Sequence, residues 1–240
     1  MLFNILFLVS VPLEFIFVPW YLKALWPVKN AKSLRLKMVC AGLYVLMSVC
    51  AIQISGSFTG YAMLMLCGAL SGFLGDYFLH AKGTTKYFVL GLTSFLAGHV
   101  FYLTAFIRRL SEFAGYKMIN AYELTAFAVI MAAYILIAVK VKMRFKPKAL
   151  LGACALYAVI LIWMFIKACV LAIGLAGTGV RYGAVAGVLL IFGSLNFLLS
   201  DASLCVILFA GYKGSYPLKI FNIVTYFAAQ AALAATIIVV

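Results

Sequence analysis

The chain has 240 residues, 68% of them apolar and only 10% charged, with 19 Lys and Arg against 5 Asp and Glu for a formal net charge of +14. Water-soluble domains are about half apolar, so this composition excludes a soluble globular enzyme and points to a protein embedded in a lipid bilayer. The basic excess sits in short stretches at the ends of apolar runs, where membrane topology and anionic lipid account for it, which excludes nucleic acid as the partner.

A spanning helix needs about 20 apolar residues, and irregular backbone cannot face lipid because its polar groups would go unpaired. Eight windows qualify, at residues 3–25, 38–54, 58–79, 87–107, 122–139, 150–173, 182–210 and 217–240. They leave no room for a soluble domain. The expected architecture is therefore all-α, one transmembrane helical domain over residues 1–240 forming a polytopic bundle of about eight helices.

The first window lacks the basic start, short apolar core and small-residue cleavage site of a secretory signal. Its lysine, Lys23, comes at the far end, so it is expected to be a retained helix, and it carries Glu14. The second follows a basic stretch with Lys29, Lys32, Arg35 and Lys37. The third holds GALSG (Gly68 to Gly72), a GxxxG pattern that allows close helix contact. It then holds Asp76, with His80 four residues on and expected at the interface. In the fourth, LAGHVFYL places His99 and Tyr102 on one helical face beside Gly98. Glu112 and Glu123 fall in or next to the following connection and read as solvated. The sixth window contains Lys167. The seventh contains GAVAG (Gly183 to Gly187), then Asn196 and Ser200 one turn apart beside Asp201. The two GxxxG patterns place the third and seventh helices inside the bundle.

Cytoplasmic loops collect Lys and Arg. Stretches after the odd-numbered helices hold Lys23, Lys29, Lys32, Arg35, Lys37, Lys82, Lys86, Lys140, Lys142, Arg144, Lys146, Lys148, Lys213 and Lys219. The opposite side holds Arg108, Arg109, Lys117 and Arg181. Both termini are therefore expected on the non-cytosolic side. The six cysteines lie within the apolar windows and form no CxxC pair, which reads as packing. There is no HExxH or histidine triad, so neither a metal nor another cofactor is expected.

The informative residues are the acids inside the membrane: Glu14, Asp76 and Asp201. An acidic group at the centre of a spanning helix costs about 2.5–3.5 kcal/mol on insertion scales, against about 0.6 kcal/mol gained from an interhelical polar bond. A structural clasp alone does not offset that cost, so Asp76 and Asp201 are the catalytic candidates. They also repeat. FLGDYFL (residues 73–79) and LLSDASL (residues 198–204) share Leu-[Gly/Ser]-Asp-x-x-Leu, each on the third helix of a set of four. At equal depth the two are expected to converge on a shared polar hollow, and a carboxyl pair in low dielectric divides into one acid and one base. Supporting candidates are His99, Tyr102, Asn196, Ser200, Glu14 and Lys37.

Helix-3 GDxxL (Gly75, Asp76, Leu79), GHxxY on the next helix (Gly98, His99, Tyr102) and helix-7 SD (Ser200, Asp201) in an eight-helix chain resemble the YhhN-like lysoplasmalogenase family. The resemblance covers most of the chain. It implies a membrane hydrolase that cleaves the vinyl ether bond of lysoplasmalogens, giving a fatty aldehyde and glycerophosphoethanolamine or glycerophosphocholine. The substrate would then be a lysophospholipid taken from the bilayer. In that reading one of Asp76 and Asp201 is the general acid, Asp201 being the favoured one, and the other steadies the cation and orients water. His99 and Tyr102 hold an aspartate or water, and rim cations such as Lys37 meet the phosphate. Paired intramembrane carboxylates with an internal repeat also fit a proton-coupled transporter. Carriers commonly break helices at the substrate site, and no proline interrupts helices 3 and 7. A lipid-binding or scaffold protein, a third possibility, would make the aspartates dispensable.

Overall fold

A computed structural model describes residues 1–56, 58–81, 83–146, 148–177, 179 and 181–240. Lys82, counted above among the basic residues, lies outside the described residues. Among those described there are eight helices and no strands: α1 (Leu2–Leu25), α2 (Ala31–Ser55), α3 (Gly60–His80), α4 (Thr85–Leu110), α5 (Ala121–Lys140), α6 (Ala149–Gly177), α7 (Gly183–Phe209) and α8 (Tyr216–Val239). Each has the length and apolar composition of a membrane span. The chain is all-α, a multi-pass membrane bundle.

The ends of the helices are set by local chemistry. The Asn30 side chain accepts from Ser33 N–H at 2.8 Å while Ser33 Oγ accepts from Asn30 N–H at 2.9 Å, a reciprocal capping box. This starts α2 at Ala31 rather than near residue 38, so Lys32, Arg35 and Lys37 stand on the helix itself. Thr59 and Thr84 cap α3 and α4 through their hydroxyls, and Gly56 closes α2 at φ 64, a conformation that favours glycine.

Packing follows a four-plus-four plan. In the first half α1 packs on α2, α2 on α3 and α3 on α4; in the second, α5 packs on α6, α6 on α7 and α7 on α8. Between the halves, α2 meets α8 and α4 meets α6, which are equivalent pairs when one half is exchanged for the other. The plan is not kept everywhere. α1 also rests on α8, whereas α5 packs mainly on α6 and reaches α7 through the Tyr134 hydroxyl, which donates to Leu198 O at 2.8 Å.

Both GxxxG patterns are buried, as expected. A Cβ on Gly68 would stand 2.4 Å from the Tyr102 ring, and one on Gly72 would stand 2.6 Å from Gln230 Nε2. The glycines of α3 thus make room for the polar side chains of α4 and α8. On the other half, Gly183 and Gly187 bring α7 against the backbone of Leu175 and Ala172 on α6.

Candidate active site

Two polar clusters lie inside the bundle, one around each aspartate. Asp76 on α3 is 1% exposed. Its Oδ1 receives Lys37 Nζ at 2.8 Å, and its Oδ2 accepts from Tyr226 at 2.8 Å and from Tyr44 at 3.1 Å. The two hydroxyls stand 3.2 Å apart, and Gln230 Nε2 donates to Tyr226 at 3.2 Å. An ammonium and two phenols around one carboxylate are the charge-assisted partners a buried anion requires.

Asp201 on α7 is 9% exposed. Its Oδ2 accepts from Tyr157 of α6 at 2.6 Å and lies 3.0 Å from His99 Nε2, which is also 2.8 Å from the Tyr157 oxygen. With the tyrosine proton committed to the carboxylate, the Nε2–H tautomer of His99 satisfies both contacts. Asp201 and Tyr157 border a hollow of about 40 Å³ otherwise walled by Leu79, Phe88, Leu92, Phe95, Cys154, Leu204, Cys205, Leu208 and Phe209. That lining is hydrocarbon, aromatic ring and sulfur, so the carboxyl faces an apolar space.

The two clusters are built alike. Each aspartate is bonded by a tyrosine from the preceding helix of its own half, Tyr44 on α2 or Tyr157 on α6. Each is also bonded by a ring from the last helix of the opposite half, Tyr226 on α8 or His99 on α4. They differ in charge: Lys37 of α2 pairs with Asp76, whereas the described partners of Asp201 are a tyrosine and a histidine.

A family model described as the YhhN family matches residues 15–237. The chain belongs to the YhhN family. This family includes lysoplasmalogenases, and membership is consistent with a membrane hydrolase. No curated protein and no solved structure matches the chain.

In this YhhN protein Lys37 joins the Asp76 cluster and His99 the Asp201 cluster, while Tyr102, Asn196 and Ser200 bond elsewhere. The aspartates do not converge on one polar hollow as expected: Asp201 borders the apolar hollow, Asp76 is packed among its own partners, and their hydrogen bonds run to different groups. A layer of rings stands between: Phe197 lies 5.1 Å from the His99 ring and 5.7 Å from Tyr226, and Phe95 lies 5.8 Å from Tyr226. His99 touches Asp201 directly. Tyr102 holds neither aspartate; its hydroxyl donates to Gln230 Oε1 at 2.7 Å and so ties α4 to α8. Lys37, expected at the rim, reaches inward to Asp76. Asn196 turns back onto Phe192 O of its own helix, and Ser200 faces Asn222 on α8. Glu14 is buried near Asp76 and Cys40, and its Oε1 has no hydrogen-bond partner among the described residues.

A further sequence reading is corrected. Glu123 is not solvated: it is 0% exposed and accepts from Lys167 Nζ of α6 at 2.7 Å. His80, the last residue of α3, is buried there between Ser33 Oγ at 2.9 Å and Tyr21 OH at 3.4 Å. The residues that reading by sequence missed are Tyr44, Tyr157, Tyr226 and Gln230. Gln230 was findable, being an amide in the middle of an apolar window, one turn after Tyr226.

Proposed function

We propose that this membrane hydrolase cleaves the vinyl ether bond of lysoplasmalogens, with Asp201 as the proton donor. The observation that carries the reading is the placement of Asp201, the intramembrane acid that borders an apolar hollow and is bonded there by Tyr157 and His99. An enol ether reacts by taking a proton on the alkene carbon remote from oxygen. The π electrons form the new C–H bond, and the ether oxygen supports the resulting oxocarbenium ion. Water then adds to the carbon next to oxygen and gives up a proton, and the hemiacetal collapses to a fatty aldehyde and the glycerophospho-alcohol. One water is consumed and the acid is restored. A positioned carboxyl acid supplies about 10²- to 10⁴-fold in such a step.

The hollow is too small for a whole fatty chain, so the chain would continue between helices toward lipid. Asp76 sits behind Tyr226, whose ring meets Phe95 on the wall of the hollow. In this reading Asp76, its charge matched by Lys37, is a positioning residue that holds Tyr226. The unbroken courses of α3 and α7 weigh against a carrier, whose helices commonly break at the substrate site.

The test is aldehyde release by purified protein from lysoplasmalogen, with the matching ester lysolipid as control. Asp201→Asn should lower release by about two to four orders of magnitude. Full release by that variant would sink the assignment of the acid, and no release by the native chain would sink the reaction.

A further inference from the structure

The chain's acids are almost all spoken for. Glu112 pairs with Arg109, Glu123 with Lys167, Asp201 with His99 and Asp76 with Lys37. Glu14 is buried within α1 beside Asp76. Among the described residues no carboxylate is left for the cations gathered where the α1–α2 connection meets the ends of α3 and α8. Lys29 Nζ donates to Leu79 O at 2.7 Å. Lys219 stands over the Trp26 ring at 5.2 Å, and Trp26 lies 4.7 Å from the Tyr216 ring. Lys37 approaches from α2 but is committed to Asp76. Partial burial, together with the ammonium groups of Lys37 and Lys219, brings Lys29 down to about 8, a sign of how closely these charges crowd. Three like charges near one another, two of them without an internal counter-ion, mark a place where an anion from outside is favoured.

We infer that Lys29 and Lys219 bind the phosphate diester of the lysophospholipid headgroup. The inference rests on the lysolipid reading above and names the residues that hold the polar end of that substrate. Leu79 supplies the geometric link. Its carbonyl fixes Lys29, while its side chain walls the hollow bordered by Asp201. A phosphate on Lys29 therefore lies across one residue of α3 from the hollow, and the glycerol would bridge the end of that helix. Lys37, held by Asp76, lies next to the phosphate site without being free to close on it.

The experiment measures equilibrium binding of a fluorescent ester lysophosphatidylethanolamine, which has no vinyl ether, to the full chain in nonionic detergent. Competitors are the matching monoacylglycerol, which lacks phosphate, and inorganic phosphate. Lys29→Gln and Lys219→Gln should each weaken binding of the phospholipid about tenfold. Lys29→Arg and Lys219→Arg should keep it, and monoacylglycerol should bind native protein and Gln variants alike. Unchanged phospholipid affinity in the double Gln variant would overturn the inference. So would an equal loss for monoacylglycerol, which would mark a structural defect, or inorganic phosphate competing as well as the lipid, which would mark a free-phosphate site. Because the ligand is not turned over, a failure here leaves the Asp201 chemistry standing, and absence of aldehyde release leaves this site standing.

Discussion

The two aspartates carry the same residue type at matching places in the two halves, yet their neighbours assign them different work. Lys37 on Asp76 makes a buried ion pair, with the carboxylate 1% exposed and the lysine side chain 13% exposed. Removing one member of a buried pair leaves the other uncompensated and costs about 3–5 kcal/mol, whereas replacing both costs far less. Lys37→Met should accordingly lower thermal stability in detergent by about that much, and the Lys37→Met/Asp76→Asn double variant should recover most of it. A double variant as unstable as the single one would show that Lys37 matters through something other than Asp76. At the other aspartate, Tyr157 donates the shorter of the two bonds, 2.6 Å. A hydrogen bond to a charged group is worth about 1.5–3 kcal/mol, so Tyr157→Phe should slow aldehyde release about 10- to 100-fold, read as kcat on protein that still folds, with a fall in melting temperature no larger than the loss of that one bond. Tyrosine explains why this level was hard to read from sequence. In a hydropathy window Tyr44, Tyr157 and Tyr226 count with the apolar residues, and only the folded arrangement shows that each spends its hydroxyl on an aspartate.

Among the elements, α3 and α5 show how tightly a membrane helix is specified by its neighbours. Alanine is normally better than glycine inside a helix by about 1 kcal/mol. At Gly68 the opposite is expected, because the added carbon would stand 2.4 Å from a Tyr102 ring already held by Gln230 and by Phe197 at 5.9 Å. Overpacking costs about 1–3 kcal/mol, so Gly68→Ala should be less stable than the native chain, and a more stable variant would refute the close contact. α5 is the reverse case: only Glu123 of the whole helix is buried. Lys167 Nζ bonds that carboxylate and Met118 O at 2.5 Å, and lies over the Tyr116 ring at 5.2 Å. Glu123→Gln should therefore loosen α5 by about 3–5 kcal/mol, seen as early proteolysis of the α4–α5 connection, and Glu123→Gln/Lys167→Met should restore resistance. The eight helices were legible because lipid demands long apolar runs, and the close approach of α3 and α7 to their neighbours was legible from GxxxG. The start of α2 and the state of Glu123 were not. The first depends on a cap that outweighs three cations in the first two turns, and the second on a partner 44 residues away that no local period reveals.

Taken whole, the molecule sorts its charge by end. Lys29, after α1, reaches the last turn of α3; Arg144 N–H, after α5, donates to Phe209 O at the end of α7 at 2.8 Å; and Lys219, at the start of α8, covers Trp26. These contacts bring the stretches after α1, α3, α5 and α7 to one end of the bundle, and that end carries the large majority of the Lys and Arg. The opposite end has Arg108, Arg109, Lys117 and Arg181, and its acids Glu112 and Glu123 already take up Arg109 and Lys167. Translocating a lysine-rich loop is disfavoured, so the rich end is expected in the cytosol, with both termini outside. The proposed headgroup lysines would then meet lysolipid in the cytosolic leaflet. The prediction is checkable with two exposed sites and a membrane-impermeant thiol reagent, since the native cysteines all lie within helices. Gly83, in the connection after α3, has open space where a side chain would go, and Ser111 follows α4. With the chain expressed in a bacterial plasma membrane, Ser111→Cys should be labelled in cells whose outer layers admit the reagent, and Gly83→Cys only after that membrane is permeabilised. The reverse pattern would invert the molecule in the membrane, and the headgroup site would then have to draw its ligand from the outer leaflet.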